Sequence, residues 1–271
     1  PSNIEVSKMR FKVTEKTLSS LLGTRRTAEK GFGTEFVAIR EYHPGDDIRN
    51  IDWKASARLN KMMMRTFQVE RKQRIFLLLD VGQNMNLHNS MIDSSVYSSI
   101  YLSQLIISRK DVLGFGLFSD TLKTFISHVK TRQHLMNLVK QIAMQTFDKK
   151  TDYVACLKRM GVAAKKRCAI ILITNIMEES PEELLQAFKY LANHSVHIIC
   201  PYEPYFEAKS DDLLEKVVYR IALHRYEMKF QERANILKQL GINCYRVGPD
   251  NIGIKLTQIY LSIVKKDLAL V

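Results

Sequence analysis

The residues best suited by type and spacing to do chemistry are Asp80, Asn84, Thr151 and Asn175, with Gly82 set between the first two. Asp80 ends an apolar run, and Gly82 and Asn84 follow it at i+2 and i+4. Thr151 and Asn175 lie in two other loops. Oxygen ligands of this kind suit a hard cation such as Mg2+. Only Asp80 is surely anionic, with Asp152 nearby, so the divalent site expected here is a weak one. Other chemistries lack their parts. No glycine pattern of a dinucleotide loop is present, and no GxxxxGK phosphate loop. There is no GxSxG motif, and none of the seven histidines stands in a base–nucleophile pattern. His194 and His197 flank a helix-to-strand junction and read as structural. The expectation is that the chain is not an enzyme.

A second concentration of useful residue types runs over residues 40–65, REYHPGDDIRNIDWKASARLNKMMMR. The chain should reverse between Tyr42 and Asp47, because Pro44 presets one turn corner and Gly45 accepts positive φ at the next. Asp46 or Asp47 can then cap a short helical segment. Trp53 is the only tryptophan. The stretch is either a capped turn that places Trp53 in a core or a recognition surface. The charges of Arg40, Asp46, Asp47, Arg49, Asp52 and Arg58 suit an internal ion-pair network around Trp53. Loss of one partner from such a network costs roughly 3–5 kcal/mol.

The elements that must position these residues follow from hydropathy. Residues 1–30 are basic, with a short helix at Leu18, Leu21 and Leu22 and a loop carrying Arg25 and Arg26. Residues 35–42, ending at Tyr42, and residues 62–69 alternate and read as strands. From residue 74 the pattern changes to continuous apolar runs, as in strands buried on both faces of a parallel sheet. Strands are expected at 75–79, 112–118, 168–173, 196–200 and 242–247. A short strand at 121–126 follows a link too short for a crossover, so it runs antiparallel. Helices are expected at 89–109, 131–144, 152–164, 181–194, 211–239 and 251–268. The alternation implies an α/β fold, a doubly wound, mostly parallel sheet with one antiparallel edge strand. A basic segment and small β-rich subdomain, residues 1–73, precede the sheet domain, residues 74–271, and are expected to pack on it. Ligands of such sheets bind at the strand carboxyl ends, where Asp80, Asp120, Thr151 and Asn175 fall.

The 271 residues carry 41 Lys and Arg against 28 Asp and Glu, a net charge of +13. Residues 1–75 hold 16 of the cations and 9 of the acids. Such an excess suits an acidic protein, an anionic membrane face or nucleic acid. Nucleic acid ranks last, because no aromatic-and-glycine ladder of an RNA-binding sheet is present. Cys156, Cys168, Cys200 and Cys244 form no CxxC pair, and buried free thiols in a reducing cytoplasm are expected. No apolar run approaches membrane-spanning length, and no signal peptide is expected. The chain begins at Pro1, so membrane segments upstream of it are an expectation.

The segment FxxIREYxPGDDIRNIDWKASAR, residues 36–58, resembles the signature of the domain-of-unknown-function-58 family, prokaryotic proteins similar to the von Willebrand factor A domain. The resemblance marks Arg40, Tyr42, Pro44, Gly45, Asp46, Asp47, Arg49, Asp52, Trp53 and Arg58 as motif residues, with a structural or an interaction role. Leu77-Leu78-Leu79-Asp80 is similar to that family's first sheet strand. The resemblance implies a von Willebrand factor A fold. In that fold an adhesion metal is held by D-x-S-x-S with a Thr and an Asp from two other loops. This chain matches at Asp80 and Thr151 and departs at Gly82, Asn84 and Asn175, which makes the site a degenerate one. The resemblance also implies a role as adaptor or partner of a MoxR-type AAA+ ATPase, at the cytoplasmic face of a membrane. A protein-interaction module is therefore the expected function. A divalent-metal-dependent binder and a nucleic-acid-binding basic domain are the alternatives.

Overall fold

The computed structural model describes residues 35–68, 72–87, 89–164, 166–202 and 213–269. The expected elements around Leu18 and Arg25 lie outside these residues. The chain divides into two compact units, one of residues 1–72 with 264–271 and one of residues 73–263.

In the first unit, β1 (Glu35–Glu41) and β2 (Met63–Gln68) pair antiparallel, with Arg40 opposite Met64. Tyr42, expected as the last residue of the first strand, lies one position beyond it. Its amide still donates to the Met62 carbonyl at 2.8 Å, but the next amide, His43, turns away to Asp46 Oδ2 at 2.9 Å. The ladder stops there because the turn claims the donor. The Tyr42 side chain is half-buried, so this motif residue flanks the turn and is not part of the buried core. The reversal itself is tighter than the expected span from Tyr42 to Asp47. The Asp46 amide bonds the His43 carbonyl at 3.0 Å across Pro44-Gly45, and Gly45 has φ +102°, a value that side chains with a Cβ rarely adopt. Asp47 then caps a single 3-10 turn, and Asp52 caps α1 (Trp53–Leu59) by accepting from the Ala55 amide at 3.0 Å. The unit buries Ile51, Ala55, Met63 and Met64.

Trp53 is not in that core. It is 71% exposed. The helix turns Ala55 inward and leaves Trp53, Lys54, Ala57 and Arg58 outward. The ion pairs are local and lie near the surface, and they do not form one network. Arg40 forks onto Asp46 with both bonds at 2.6 Å, which holds the Asp46 carboxyl down at about 2. Asp47 takes Arg49, its neighbour two residues on. Asp52 takes Arg65 across the hairpin at 2.9 Å. Arg58 is exposed and joins none of these pairs.

In the second unit, six strands lie in the order β5-β4-β3-β6-β7-β8. They are β3 (Arg74–Asp80), β4 (Val112–Phe118), β5 (Leu122–Val129), β6 (Ala169–Ile173), β7 (Ser195–Pro201) and β8 (Asn243–Val247). All neighbours are parallel except β4 and β5. The expected doubly wound sheet with one antiparallel edge is what forms. The edge strand runs longer than expected, to Val129, and most of its residues are part-exposed or exposed. Period-two alternation splits the strand side chains between two faces. Phe76, Leu78, Ile170, Leu172, Val196 and Ile198 share one core with α4 (Tyr153–Ala163), α5 (Pro181–Phe188) and α6 (Leu213–Gln239). Ile75, Leu77, Leu79, Ile171 and Ile173 face the other way and are equally buried. On that side lies α2 (Asn89–Ser108), with Met91, Leu102 and Ile106 fully buried. α3 (Arg132–Ala143) and α7 (Ile252–Ala269) complete the helices described. Ser180 caps α5, with Glu183 completing a capping box, but the helix ends at Phe188 in a 3-10 turn and not, as expected, at residue 194. The cysteines are free; three are buried and Cys244 is half-buried.

Because Asp52 both caps α1 and holds Arg65, Asp52→Ala should lower the melting temperature of the first unit by a few degrees. Arg58→Ala should leave it unchanged. A calorimetric melt of the two variants checks this, and equal losses would restore a shared ion-pair network.

Candidate functional site

The carboxyl ends of β3 and β6 meet the loop before α4 around the Asp80 carboxylate. Continuous apolar strands deliver Asp80 and Thr174 side by side, since Leu79 pairs with Ile173 in the parallel register. Asp80 is 1% exposed. Its Oδ1 accepts from the Gly82 amide at 2.8 Å and from Thr151 Oγ1 at 2.8 Å. Its Oδ2 accepts from Thr174 Oγ1 at 2.6 Å. Tyr153 stands behind Thr174, with hydroxyl oxygens 2.5 Å apart and its own OH 3.3 Å from Asp80 Oδ2. A hydroxyl has one proton to give. The short distances assign it as a chain in which Tyr153 donates to Thr174 and Thr174 donates to Asp80. Burial raises the Asp80 carboxyl above its ordinary range, and the bonds from Thr174, Gly82 and Thr151 oppose that rise. Burial likewise pushes the Tyr153 phenol well up.

Of the five residues expected to gather at a cation, Asp80, Gly82 and Thr151 are in direct contact. Asn84 and Asn175 face each other instead. Asn175 Nδ2 donates to the Asn84 carbonyl at 3.3 Å, and Asn175 Oδ1 accepts from the Met177 amide at 3.2 Å. Tyr153 and Thr174 complete the site; Thr174 lies beside Asn175 at a strand end where ligands were expected, and Tyr153 was not anticipated. Tyr153 had one available signal, its place two residues after Thr151 at the start of a helix.

This donor set does not fit a divalent cation. Both Asp80 oxygens already accept hydrogen bonds from the protein. A Cβ on residue 82 would stand 2.1 Å from Thr151 Oγ1, so the Thr151 hydroxyl fills the place a serine side chain would need. The buried atom left without a partner is Asn84 Nδ2, part of an amide that is neutral in either orientation. Among the described residues, no group of three or more His, Cys, Asp or Glu could hold a metal. Nor do Asp80, Thr151 and Asn175 offer a contact surface, since each is at most 3% exposed. Asp120, at the β4–β5 link, is half-buried and tied by Lys123 at 2.5 Å and Lys149 at 3.2 Å.

Asp80→Ala leaves three buried donors without an acceptor and is expected to destabilise the second unit by about 3 kcal/mol or more. Asp80→Asn keeps the shape and removes the buried charge. A carboxyl whose folded pKa is raised weakens the fold as pH climbs from the ordinary carboxylate range through that raised value. Wild-type stability relative to Asp80→Asn should therefore fall with rising pH and then level off. Denaturant titrations at several pH values check the slope; an opposite slope would mean that the bonds outweigh burial. Millimolar Mg2+ should leave both melting temperatures unchanged, and a rise that Asp80→Asn abolishes would reinstate the cation site.

Comparison with known proteins bears on the family and the fold. The uncharacterized protein YeaD of Bacillus subtilis (strain 168) is 42% identical over 113 residues, 41% of this chain and 27% of that protein. The matched part thus spans about a quarter of that relative. Among solved structures, the pilus adhesin SpaC of Lactobacillus rhamnosus GG, in its open conformation, aligns with a TM-score of 0.51 at 10% identity, over 73% of this chain and 31% of that one. The von Willebrand factor A domain of SpRpn10 aligns with a TM-score of 0.45 at 11% identity, over 69% of this chain and 94% of that one. The likeness to SpaC concerns the fold alone. The family described as protein of unknown function DUF58 matches residues 38–203, a span holding both the Trp53 hairpin and the Asp80 cluster, and this chain belongs to that family.

Proposed function

We propose that the chain is a non-enzymatic protein-binding module whose partner is a AAA+ ATPase of the MoxR type. The observation that carries this reading is the outer side of α1. Trp53 and Lys54 stand out from its first turn, and Ala57 and Arg58 repeat them four residues on. Ile48, just before the helix, is also 66% exposed. Tryptophan and arginine dominate the energetic centres of protein interfaces. The charge of Lys54 and Arg58 suits an acidic partner surface. The ATPase is named on the strength of the motif in residues 36–58.

The reading extends to location at the cytoplasmic face of a membrane. Free thiols persist in the cytoplasm, and a charge of +13 is attracted to anionic lipid. Among the described residues, no helix is long and apolar enough to cross a membrane. Metal-dependent binding is the weaker reading, because the Asp80 oxygens are already engaged. Nucleic-acid binding would reveal itself as a steep dependence on salt.

Affinity for a purified MoxR-type ATPase tests the proposal. Trp53→Ala should lower it about 30-fold or more, as expected for an interface centre worth at least ~2 kcal/mol. Its melting temperature should stay unchanged, because Trp53 is exposed. Arg58→Glu should weaken binding most at low salt, and Asp80→Asn should leave binding intact. Equal affinity of Trp53→Ala and wild type would remove the α1 face from the interface. No binding by wild type would remove the ATPase.

A further inference from the structure

A pocket of about 350 Å³ opens at the carboxyl end of the sheet and shares Thr151 and Tyr153 with the Asp80 cluster. Its walls include Lys150, Asp152, Tyr153 and Val154 from the start of α4, and Glu179 and Glu183 from the start of α5. Glu179 is only 4% exposed. Its Oε2 lies 3.4 Å from Lys150 Nζ, while its Oε1 is buried without a donor. A buried carboxylate oxygen without a donor is costly. The α6 side gives no relief, since Arg233 spends its Nε on the Glu179 backbone carbonyl at 3.0 Å and another nitrogen on the Lys229 carbonyl. Asp152 is occupied with its helix cap at the Ala155 amide. Glu183 is the other acid on the pocket wall besides Asp152.

The geometry points to a binding site for an arginine side chain of a partner protein, held between the Glu179 and Glu183 carboxylates. A guanidinium has five donors in a planar fork and can serve two carboxylates at once, where an ammonium acts as a point charge. Tyr153 and Val154 line the same pocket and offer apolar surface to the flat cation. A divalent metal is a poorer occupant, because Lys150 already stands at the mouth and two carboxylates are too few ligands. Lys150 has a side chain 59% exposed, so it can swing to solvent as the guanidinium enters. The site does not depend on the α1 face or on any ATPase.

Binding here should compete with a proton. Burial raises the Glu179 carboxyl, and the Glu183 hydrogen bond raises it further, while the same bond holds Glu183 down. Lys150 opposes the rise at Glu179. A cation between the two carboxylates would oppose the rise at Glu179. Lower pH favours the proton and weakens the ligand.

The test uses the whole chain and N-acetyl-arginine methylamide as probe, with the uncharged citrulline analogue as control. Amide shifts of residues 150–154 and 179–183 are followed by NMR. Saturable shifts are expected for the arginine probe and none for citrulline. Dissociation constants should rise on acidification by up to about tenfold per pH unit, the limit for one displaced proton. Glu179→Gln should weaken binding at least about tenfold, and Lys150→Ala, which removes the competing cation, should strengthen it. Absent saturation, equal response to citrulline, or binding unchanged in both variants would overturn the assignment. Thermal melts show whether Glu179→Gln remains folded; if it does not, Lys150→Ala and the pH series decide. Failure here leaves the Trp53 interface untouched, because the probe contains no ATPase.

Discussion

One buried carboxylate holds the top of the sheet together. Asp80 ends β3, and its two oxygens collect the Gly82 amide, the Thr151 hydroxyl and the Thr174 hydroxyl within 2.6–2.8 Å. Three segments far apart in the chain therefore end at one group. A charge taken this far from water is tolerable only when donors replace the water. Here they do, and the consequence is rigidity. The loops in which α/β sheets usually receive ligands are bonded to one another instead. In the adhesion pattern that this fold can carry, the same aspartate would face a metal through serine hydroxyls. Here Thr151 has moved into the volume of the first serine, and Tyr153 closes the site from behind Thr174.

Much of the architecture was legible because it follows from short-range rules. The runs at β3, β4 and β6 are apolar without alternation, which only a strand covered on both faces requires. The two-residue link at Ser119-Asp120 forced an antiparallel β5. Pro44, Gly45 and Ser180 each did at their turn or cap what their backbone chemistry dictates. The end of β1 was less legible. Alternation carries on through Tyr42, but the Asp46 carboxylate takes the His43 amide and closes the ladder one residue early. The Tyr153–Thr174 bond was not legible, because it joins the start of α4 to the end of β6, 21 positions apart. Nothing local in Lys-Thr-Asp-Tyr shows that the phenol turns inward.

Of the two readings of Trp53, a core anchor or a recognition surface, its exposure removes the first, for a related reason. A lone tryptophan amid apolar and charged residues reads as a core anchor. Its fate depends on which side of a seven-residue helix meets β2, and that side belongs to Ala55. The charges were misread by counting them together. Turn geometry pairs Arg40 with Asp46, and Arg49 with Asp47, before any long-range network forms. Asp52 then takes Arg65 from the facing strand, since a hairpin brings β2 closer than the outward side of α1 can bring Arg58.

The same end of the sheet holds two buried acids in opposite conditions. Neutral hydroxyls and an amide satisfy Asp80 from within. Glu179 has one ammonium at 3.4 Å on one oxygen and no donor on the other. Three things can stabilise a buried carboxylate: protein donors, a proton or a counter-charge. Asp80 has the first. Glu179 has only Lys150 on one oxygen, and its other oxygen is left to a proton or a counter-charge from solution. Responsiveness at the sheet top thus belongs to the position that folding left incomplete. In this chain that position is not the strand-end aspartate where the fold would place an adhesion metal. It is the glutamate one loop away, at the mouth of α5.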